Sequence, residues 1–305
     1  MDDSNYRIGI DVGGTFTDIV AVSDKGTVIF SKAPSTPADP SIGVMDAIAR
    51  LSYELRTESA VLLSKTERIV HGTTVATNAL LERKGAKTGL LTTIGHRDVL
   101  EMREGLKDDR YNMRLAAPET LVPRYLRLGV KERIRPDGSI HLPLDNDSLD
   151  AAIEKLKEAD VTSIAVCYLH AYKEAKHEKE TRARIESKLP GVSVSLSSEV
   201  FPEIKEYERV STTVVNAYVR PVVEKYLRKL GDRLRETGYQ GPVLIILSHG
   251  GVAPIDEAVR LAAGTVLSGP AGGVAGSRYG SSLIGAENLV PFDMGGTSTD
   301  ISMIV

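Results

Sequence analysis

Two short segments at opposite ends of the chain share a pattern of residues suited to phosphate binding. Asp11 to Asp18 is Asp-Val-Gly-Gly-Thr-Phe-Thr-Asp, and Asp293 to Asp300 is Asp-Met-Gly-Gly-Thr-Ser-Thr-Asp. An apolar strand is predicted on each side of both segments, so each is predicted to be a hairpin with its glycines at the bend. A single hairpin of this composition is also explained by ordinary turns, which favour the same residue types. Two copies of one pattern indicate a two-sided phosphate clamp.

Each residue type in the repeated pattern can serve a phosphate group. Glycines allow positive φ and have no Cβ, so backbone N–H groups can approach an anion, and threonine hydroxyls add donors. The leading Asp11 and Asp293 can hold a hydrated Mg²⁺ or Mn²⁺, and the trailing Asp18 and Asp300 can orient a nucleophile or a second metal-bound water. The predicted phosphate contacts of the hairpins are Gly13, Gly14, Thr15, Thr17, Gly295, Gly296, Thr297 and Thr299.

Two other segments place small residues at a predicted helix start. His71-Gly72-Thr73-Thr74 follows a short strand, where free N–H groups could bind an anion and His71 could donate to a phosphoryl or carbonyl oxygen. A capping turn is the alternative. Ser268-Gly269-Pro270-Ala271-Gly272-Gly273 opens another helix, with a tight strand-to-helix turn as its alternative. The predicted phosphate contacts here are Thr73, Thr74, Gly269, Gly272 and Gly273.

Three further segments have a functional and a structural interpretation. Ser248-His249-Gly250-Gly251 follows a buried strand, at the end where α/β proteins place ligands. Glu206 to Arg209 begins a long helix, where helix-end electrostatics explains the carboxylates. His96-Arg97-Asp98 and the stretch from Lys107 to Arg114 are predicted to form a solvated face. A substrate-gating or subunit-docking role is the alternative for that face.

The composition argues against several classes of protein. A net charge of -3 without a lysine/arginine cluster argues against nucleic-acid binding, and no apolar run is long enough for a bilayer. The N-terminus lacks the sections of a secretory signal, so a cytoplasmic location is expected. The single cysteine, Cys167, lies in an apolar run and is predicted to be a core thiol. His170 and His177 are not at convincing ligand spacing, so no zinc site is predicted.

Strands and helices alternate along the chain, which predicts an α/β architecture with layered sheets. Gly85 is predicted to be the C′ glycine of a helix near Val75 to Arg83. Pro221 is predicted to kink or divide a long helix from Glu206 to Thr237. Arg97 to Pro118 is predicted to be an exposed, irregular excursion. Strands are predicted at residues 7–10, 19–22, 28–30, 68–71, 88–92, 163–168, 192–196, 243–247, 289–292 and 301–305.

The two hairpins resemble the phosphate-1 and phosphate-2 loops of the actin, hexokinase and Hsp70 superfamily. With the His-Gly-Thr-Thr and Ser-Gly-Pro-Ala-Gly-Gly segments and the stretch from Glu208 to Tyr218, they make the chain similar to the N-terminal part of hydantoinase A and 5-oxoprolinase. That family includes ATP-hydrolysing subunits of acetone and acetophenone carboxylases. The resemblance implies an α/β, actin-like (ribonuclease H-like) ATPase fold. Its expected domains are residues 1–200 with the phosphate-1 hairpin and residues 201–305 with the phosphate-2 hairpin, the second ending before the adenosine loop.

The same resemblance implies an ATP-dependent enzyme that phosphorylates the carbonyl oxygen of a lactam or hydantoin-type cyclic amide to drive its hydrolysis. Asp11 and Asp293 would organise Mg²⁺, and His71 would stabilise developing charge. The alternatives are an ATP-dependent ketone carboxylase subunit and a nonenzymatic nucleotide switch or reactivating factor. The expected partner is a hydantoinase B type subunit or a second copy of the chain. Such a partner would cover the strands predicted near residues 289–292 and 301–305.

Overall fold

The computed structural model describes residues 4–105, 109, 111–116, 119–294 and 299–305. Within them the chain forms two compact units. Unit 1 comprises Met1–Arg83 and Val222–Val305, and unit 2 comprises Lys84–Pro221. Unit 1 thus takes residues from both ends of the chain. The expected domains, residues 1–200 and 201–305, stay a prediction.

The elements alternate as the sequence pattern predicts. The strands are β1 (Tyr6–Val12), β2 (Phe16–Ser23), β3 (Val28–Pro34), β4 (Thr66–Thr73), β5 (Thr88–Thr93), β6 (Arg127–Val130), β7 (Arg133–Ile134), β8 (Ile140–Leu142), β9 (Ser163–Cys167), β10 (Ser193–Leu196), β11 (Val243–Ile246), β12 (Val252–Pro254), β13 (Phe292–Met294) and β14 (Thr299–Ile301). The helices are α1 (Pro40–Glu54), α2 (Ser59–Ser64), α3 (Val75–Leu81), α4 (Val99–Met102), α5 (Asn146–Glu158), α6 (Lys176–Lys188), α7 (Ser197–Val200), α8 (Glu206–Glu236), α9 (Ile255–Arg260) and α10 (Ser268–Ile284).

Unit 1 contains a six-stranded sheet in the order β12-β11-β4-β1-β2-β3. The first three strands form an antiparallel meander, whereas β4 runs parallel to β1 and β11 runs parallel to β4. Residues alternate between the two faces of β1, with Ile8, Ile10 and Val12 buried and Asp11 exposed. The buried face packs against α1, whose Val44, Ala47, Ile48 and Leu51 are buried. The opposite face of β1 therefore carries its polar side chains.

Unit 2 contains a four-stranded sheet in the order β10-β9-β5-β6, and all its strand pairs are parallel. Every residue of β5 and β9 is buried, as expected for central strands covered on both faces. Helices α5 and α6 supply buried Leu149, Ile153 and Ile185 to this core. The N-cap of α5 is Asp145, whose side chain accepts a hydrogen bond of 2.8 Å from the Ser148 N–H.

Pro221 lies inside α8 without dividing it, so the predicted division of this helix is wrong. The boundary between the two units nevertheless falls at this proline. In the described part of the chain, no helix is long and apolar enough to cross a membrane.

Several local predictions need correction. The helix before Gly85 ends at Leu81, and the residue with positive φ is Arg83, at 55°. Gly85 is therefore not the C′ residue of this helix. A glycine is needed there because a Cβ would lie 2.2 Å from the Tyr218 ring. The predicted irregular excursion contains the short helix α4. Parts of the predicted solvated stretch, at residues 107, 108 and 110, lie outside the described residues.

Candidate functional site

The first hairpin places its two aspartates on one face of the sheet. Asp11 on β1 pairs directly with Asp18 on β2, and the next pair is Val12 with Thr17. Directly opposed residues of an antiparallel pair project to the same face. Asp11 and Asp18 therefore share the polar face, while Thr17 shares the buried face with Val12.

The bend of this hairpin depends on a close backbone approach. The Gly13 N–H donates to the Phe16 carbonyl at 3.0 Å, and a Cβ on Gly13 would lie 3.2 Å from the same oxygen. Gly13 does not have a positive φ, so the expected left-handed conformation is absent at this residue. Thr15 is exposed at the bend, and its carbonyl accepts from the Ser35 N–H at 2.9 Å. The exposed bend leaves Thr15 accessible to a ligand.

A glycine on the neighbouring strand makes room for the Asp11 carboxylate. Gly72 on β4 is the parallel register partner of Asp11. A Cβ on Gly72 would lie only 3.0 Å from Asp11 Oδ1. The His-Gly-Thr-Thr pattern predicts functions for its histidine and threonines, but it does not predict this packing role of Gly72. Its signal in the sequence is a lone glycine within an apolar strand, which is typical of a close approach.

The second hairpin repeats the aspartate pairing of the first. Asp293 on β13 pairs with Asp300 on β14, and Met294 pairs with Thr299. Thr299 is exposed. The predicted phosphate contacts Gly295, Gly296 and Thr297 lie outside the described residues.

Aspartates from both hairpins affect the pKa of the Asp11 carboxyl. Loss of hydration raises the pKa of the Asp11 carboxyl, and the negative charges of Asp18 and Asp293 raise this pKa further. The charges of Asp18 and Asp293, from segments far apart in sequence, thus act on one carboxylate, and these three aspartates are called the acidic centre below. A bound cation would relieve the repulsion among them.

The acidic centre fits the way in which proteins hold Mg²⁺. Within the residues that the structure describes, no group of three or more histidine, cysteine or carboxylate side chains is arranged to hold a metal ion by itself. Mg²⁺, however, usually takes one or two carboxylates and completes its shell with water and substrate phosphates. Asp11 and Asp293 are residues that could supply those carboxylates.

The trailing aspartate of the first hairpin has its own counterion. Asp18 Oδ1 lies 3.0 Å from Lys32 Nζ on β3, and the same ammonium group lies 4.9 Å from the centre of the Phe16 ring. About half of both charged side chains is exposed. An exposed ion pair of this kind adds little stability, so Asp18 can exchange its partner at low cost.

Helix α10 begins beside the strand end that carries Gly72. The Ser268 hydroxyl donates to the Thr73 carbonyl at 3.1 Å, and the Leu267 N–H donates to Thr77 Oγ1 at 3.0 Å. The first N–H groups of a helix have no partner within the helix, so its start can bind an anion. The turn before α10 follows a 3₁₀ helix at Ala262–Thr265, so the alternative of a strand-to-helix turn is wrong. Leu267, immediately before the helix, is left-handed, with a φ of 58°.

The three predicted glycines of α10 differ in their surroundings. A Cβ on Gly272 would lie 3.2 Å from Ile246 Cδ1, so close packing on β11 explains this glycine. A Cβ on Gly269 or Gly273 would meet no atom of the described residues within 4 Å. Space beside Gly269 is available to a ligand at the start of the helix.

His71, Thr73 and Thr17 lie on the buried face, away from the Asp11 carboxylate. The register partner of His71 is Ile10, and that of Thr73 is Val12. All three side chains are almost completely buried. The Thr17 hydroxyl lies 3.2 Å from Ser35 Oγ, which explains its burial as part of the packing on β3. The burial of Thr17 and Thr73 argues against direct phosphate contacts by these two threonines.

His71 is held by a residue that the sequence did not indicate. Its Nε2 lies 2.7 Å from the Tyr226 hydroxyl on α8. Burial lowers the pKa of His71 to about 4, so the imidazole is neutral at pH 7. A neutral, buried ring on the far face is not placed to stabilise negative charge at Asp11. The contact with Tyr226 joins β4 to α8, and the expected direct role of His71 stays a prediction.

Thr74 connects the end of β1 to α3. Its hydroxyl donates to the Val12 carbonyl at 3.1 Å and accepts from Asn78 Nδ2 at 3.2 Å. Thr74 is the N-cap of α3, but its side chain forms no capping hydrogen bond with the helix backbone, and it remains partly accessible. Its predicted phosphate contact stays a prediction.

The remaining candidate segments have structural explanations or lie in unit 2. Ser248 to Gly251 forms the turn between β11 and β12, where Gly250 has a positive φ of 84°. Cys167 is a buried thiol, and burial raises its pKa to about 12, as expected for an unreactive core cysteine. Glu206 and Arg209 belong to unit 2 and line a cleft of that unit.

The fold is mixed α/β, and each of the two matching sequence segments places a pair of aspartates opposite each other, Asp11 with Asp18 and Asp293 with Asp300. Sequence-family models agree with this description. The hydantoinase/oxoprolinase N-terminal region matches residues 7–189, and the hydantoinase/oxoprolinase domain matches residues 209–305. The chain therefore belongs to the hydantoinase/oxoprolinase family.

Several characterised proteins are similar over almost the whole chain. The caprolactamase subunit alpha of Pseudomonas jessenii is 39% identical over 99% of this chain and 44% of that protein. The 5-oxoprolinase 1 of Arabidopsis thaliana is 32% identical over 98% of this chain and 25% of that protein. The chain thus spans less than half the length of these relatives.

Solved structures share the same fold. Nucleotide-free acetone carboxylase superposes with a TM-score of 0.91 at 30% identity, covering 99% of this chain and 44% of that one. The ATP-dependent caprolactamase of Pseudomonas jessenii superposes with a TM-score of 0.86 at 39% identity, covering 98% and 43%. These matches confirm the predicted α/β fold class.

Proposed function

We propose that the chain is the ATP-binding part of an enzyme that phosphorylates the carbonyl oxygen of a cyclic amide and so drives its hydrolysis. The observation that carries the proposal is the acidic centre, where the charges of Asp18 and Asp293 act on Asp11 beside a glycine bend. An acidic centre next to backbone N–H groups suits a magnesium–phosphate complex better than it suits an isolated anion.

Each part of the centre has a distinct task in this proposal. Asp11 and Asp293 hold Mg²⁺, which neutralises charge on the phosphates. The bend at Gly13 to Thr15, its counterpart in the second hairpin and the start of α10 hold phosphate oxygens. Asp18 or Asp300 orients the attacking carbonyl oxygen. The chain's contribution is positioning and charge neutralisation, because phosphoryl transfer needs little covalent chemistry from the protein.

A cyclic amide is preferred as the substrate because of the relatives. The 39% identical caprolactamase subunit and the 32% identical 5-oxoprolinase are named for lactam substrates. Ketone carboxylation is the second candidate, since the acetone carboxylase structure has the TM-score of 0.91. Both reactions would begin with transfer of the γ-phosphoryl group to a carbonyl oxygen, so one ATP-binding part could serve either.

A partner is part of the proposal. Apolar side chains on β13, on β14 and directly after β14 are exposed, including Phe292 at 58%, Ile301 at 65% and Met303 at 73%. Exposed apolar side chains on a two-stranded ribbon favour association. Relatives named as subunits support a partner subunit, and a second copy of the chain is the alternative.

Phosphate release from ATP by the complete enzyme tests the proposed function. The panel contains caprolactam, 5-oxoproline, hydantoin and acetone, the last with bicarbonate. Stimulation by a cyclic amide supports the proposal, and stimulation by acetone alone replaces it with the carboxylase alternative. Turnover that no carbonyl compound stimulates would favour a nucleotide switch and contradict both enzyme proposals.

A further inference from the structure

Unit 2 contains an open cleft of about 540 Å³ that the proposed phosphate chemistry does not use. Its lining includes His96, which follows β5, Leu169, which follows β9, and the first turn of α8. The cleft thus lies at the carboxyl ends of two parallel strands, where α/β proteins commonly bind ligands. All of its lining residues belong to unit 2.

A buried guanidinium lies in a narrow recess next to the cleft. Arg209 is 1% exposed and lines a narrow recess together with His96 and Glu206, which also line the cleft. Arg209 Nη1 donates to the Tyr168 carbonyl at 2.7 Å and to Ser197 Oγ at 2.8 Å. Both acceptors are neutral, and the buried Nε has no hydrogen-bond partner among the described residues. The buried Glu178 carboxylate accepts from the same Ser197 Oγ at 2.6 Å and partly balances this charge, while the unpaired Nε leaves one donor for an anionic ligand.

A second guanidinium stands on the wall of the same cleft. Arg133 Nη1 lies 3.2 Å from His96 Nε2, which can only accept from it. No carboxylate of the described residues forms an ion pair with Arg133. Both guanidinium groups adjoin His96, so together they could bind the oxygens of one carboxylate or of a larger anion.

One carboxylate in the cleft also lacks an ion-pair partner. Glu206 forms no ion pair within the described part of the chain. Its neighbours behave differently, because Lys205 Nζ lies 3.0 Å from Glu208 and 3.8 Å from Glu104. Together these three side chains leave one negative charge, and Arg103, which also lines the cleft, adds one positive charge. The charges that remain for a ligand therefore include two guanidinium groups and the Glu206 carboxylate.

We propose that this cleft binds a small amino acid as a zwitterion, with its carboxylate at Arg209 and Arg133 and its ammonium group at Glu206. A simple anion would face repulsion from Glu206, and a simple cation would face two arginines. An amino acid satisfies both. Because hydrolysis of a lactam opens the ring to an amino acid, the ligand is also the expected kind of product, and this last identification alone rests on the proposed function.

Calorimetry on the 305-residue chain without nucleotide tests the cleft independently of ATP turnover. The probes are 6-aminohexanoate and glutamate, with hexanoate, hexylamine and inorganic phosphate as single-charge or plain-anion comparisons. We expect at least one amino acid to bind about tenfold more tightly than each comparison compound, as a charge-assisted contact provides. Equal binding of hexanoate or phosphate would show a plain anion site and overturn the proposal.

Two variants and their matched controls assign the charges. Glu206→Gln should weaken the binding of the amino acid about tenfold and leave hexanoate unchanged or tighter, whereas Arg133→Gln should weaken both. Glu203→Gln and Arg135→Gln remove neighbouring exposed charges and should change neither. Unchanged amino acid binding in Glu206→Gln, with the variant still folded, would contradict the proposal. Failure of ATP turnover with intact amino acid binding would count against the proposed function alone.

Discussion

The Oδ1 atom of Asp11 lies 3.0 Å from the position that a Cβ on Gly72 would occupy. The two residues are register partners on the parallel strands β1 and β4. Gly72 is therefore the residue that leaves room for the Asp11 carboxylate, because a side chain at this position would press against it. Its effect on the acidic centre can be measured.

Replacing Gly72 with alanine should displace the Asp11 carboxylate, because the added methyl group occupies its place. We expect Gly72→Ala to lower magnesium-dependent ATP turnover of the complete enzyme by about tenfold or more, since small displacements in a positioned site are costly. Gly264→Ala is the matched control, because its nearest contact would be an ordinary 3.7 Å. Near-normal turnover in Gly72→Ala would show that the position of Asp11 is not critical.

Removing the charge of Asp11 should separate stability from activity. Because the folded protein raises the pKa of this carboxyl above its ordinary value, the ionised form is disfavoured by folding. Its unfavourable contribution is absent at low pH and appears as the pH rises through the folded pKa. Asp11→Asn should therefore leave the free energy of unfolding at pH 7 unchanged or higher.

The same substitution should abolish magnesium-dependent turnover, and so should Asp293→Asn. Urea unfolding and phosphate release, measured on the same preparations, check the two effects. Asp46→Asn, at a partly exposed position on α1, is the control for a generic loss of one carboxylate. Normal turnover in both Asp11→Asn and Asp293→Asn would contradict the two-sided phosphate clamp.

His71 should make the stability of the protein depend on pH. Its pKa falls from 6.5 to about 4 on folding, because the buried ring resists protonation. Below pH 6.5 the unfolded chain takes up a proton that the folded chain does not, so the free energy of unfolding decreases as the pH falls towards 4. The loss from this group should reach about 3 kcal/mol at pH 4 and below.

Denaturant unfolding between pH 4 and pH 7 measures this slope. The slope should shrink in His71→Gln and persist in His141→Gln, which removes an exposed histidine on β8. The comparison uses the slope rather than the absolute stability, because a change in the core also destabilises the fold. An unchanged slope in His71→Gln would show that His71 is not the titrating group.

The sequence predicted the hairpins better than it predicted the face on which each side chain lies. The Asp-x-Gly-Gly-Thr-x-Thr-Asp pattern identified both loops and the aspartates that pair across them. Thr17 and His71 were assigned to the site because of their residue types. Strand register decides the face, and β4 pairs with β1 only through tertiary folding, so the burial of His71 could not be read from the local pattern.

Tertiary contacts also explain the other differences. Tyr226 is 155 residues from His71 in sequence, and no local pattern links the two. Gly85 was assigned to a helix end on local grounds, although the Tyr218 ring is what requires a glycine there. Most of the predicted strands and helices agree with the structure, because their hydrophobic periodicity is a local property.

The exposed apolar side chains of Phe292, Met294, Ile301 and Met303 should make the 305-residue chain associate. We expect light scattering to detect dimers or larger species that the double substitution Phe292→Ser with Ile301→Ser reduces, because both side chains are more than half exposed. Tyr53→Ser, at an 83% exposed position on α1, is the control. A chain that remains monomeric at all concentrations would contradict a role of this ribbon in association.

The most direct test of carbonyl phosphorylation measures where an ¹⁸O label on the substrate carbonyl is found after the reaction. If the γ-phosphoryl group is transferred to the substrate carbonyl, that oxygen becomes part of a C–O–P linkage, and later cleavage of the C–O bond releases it in inorganic phosphate. The complete enzyme should therefore convert caprolactam labelled with ¹⁸O at the carbonyl, in the presence of Mg-ATP, to phosphate that contains one ¹⁸O atom. Mass spectrometry of the phosphate and of the amino acid product measures the distribution. Label that stays entirely in the carboxylate of the product, with unlabelled phosphate, would contradict phosphorylation of the carbonyl oxygen as the activating step.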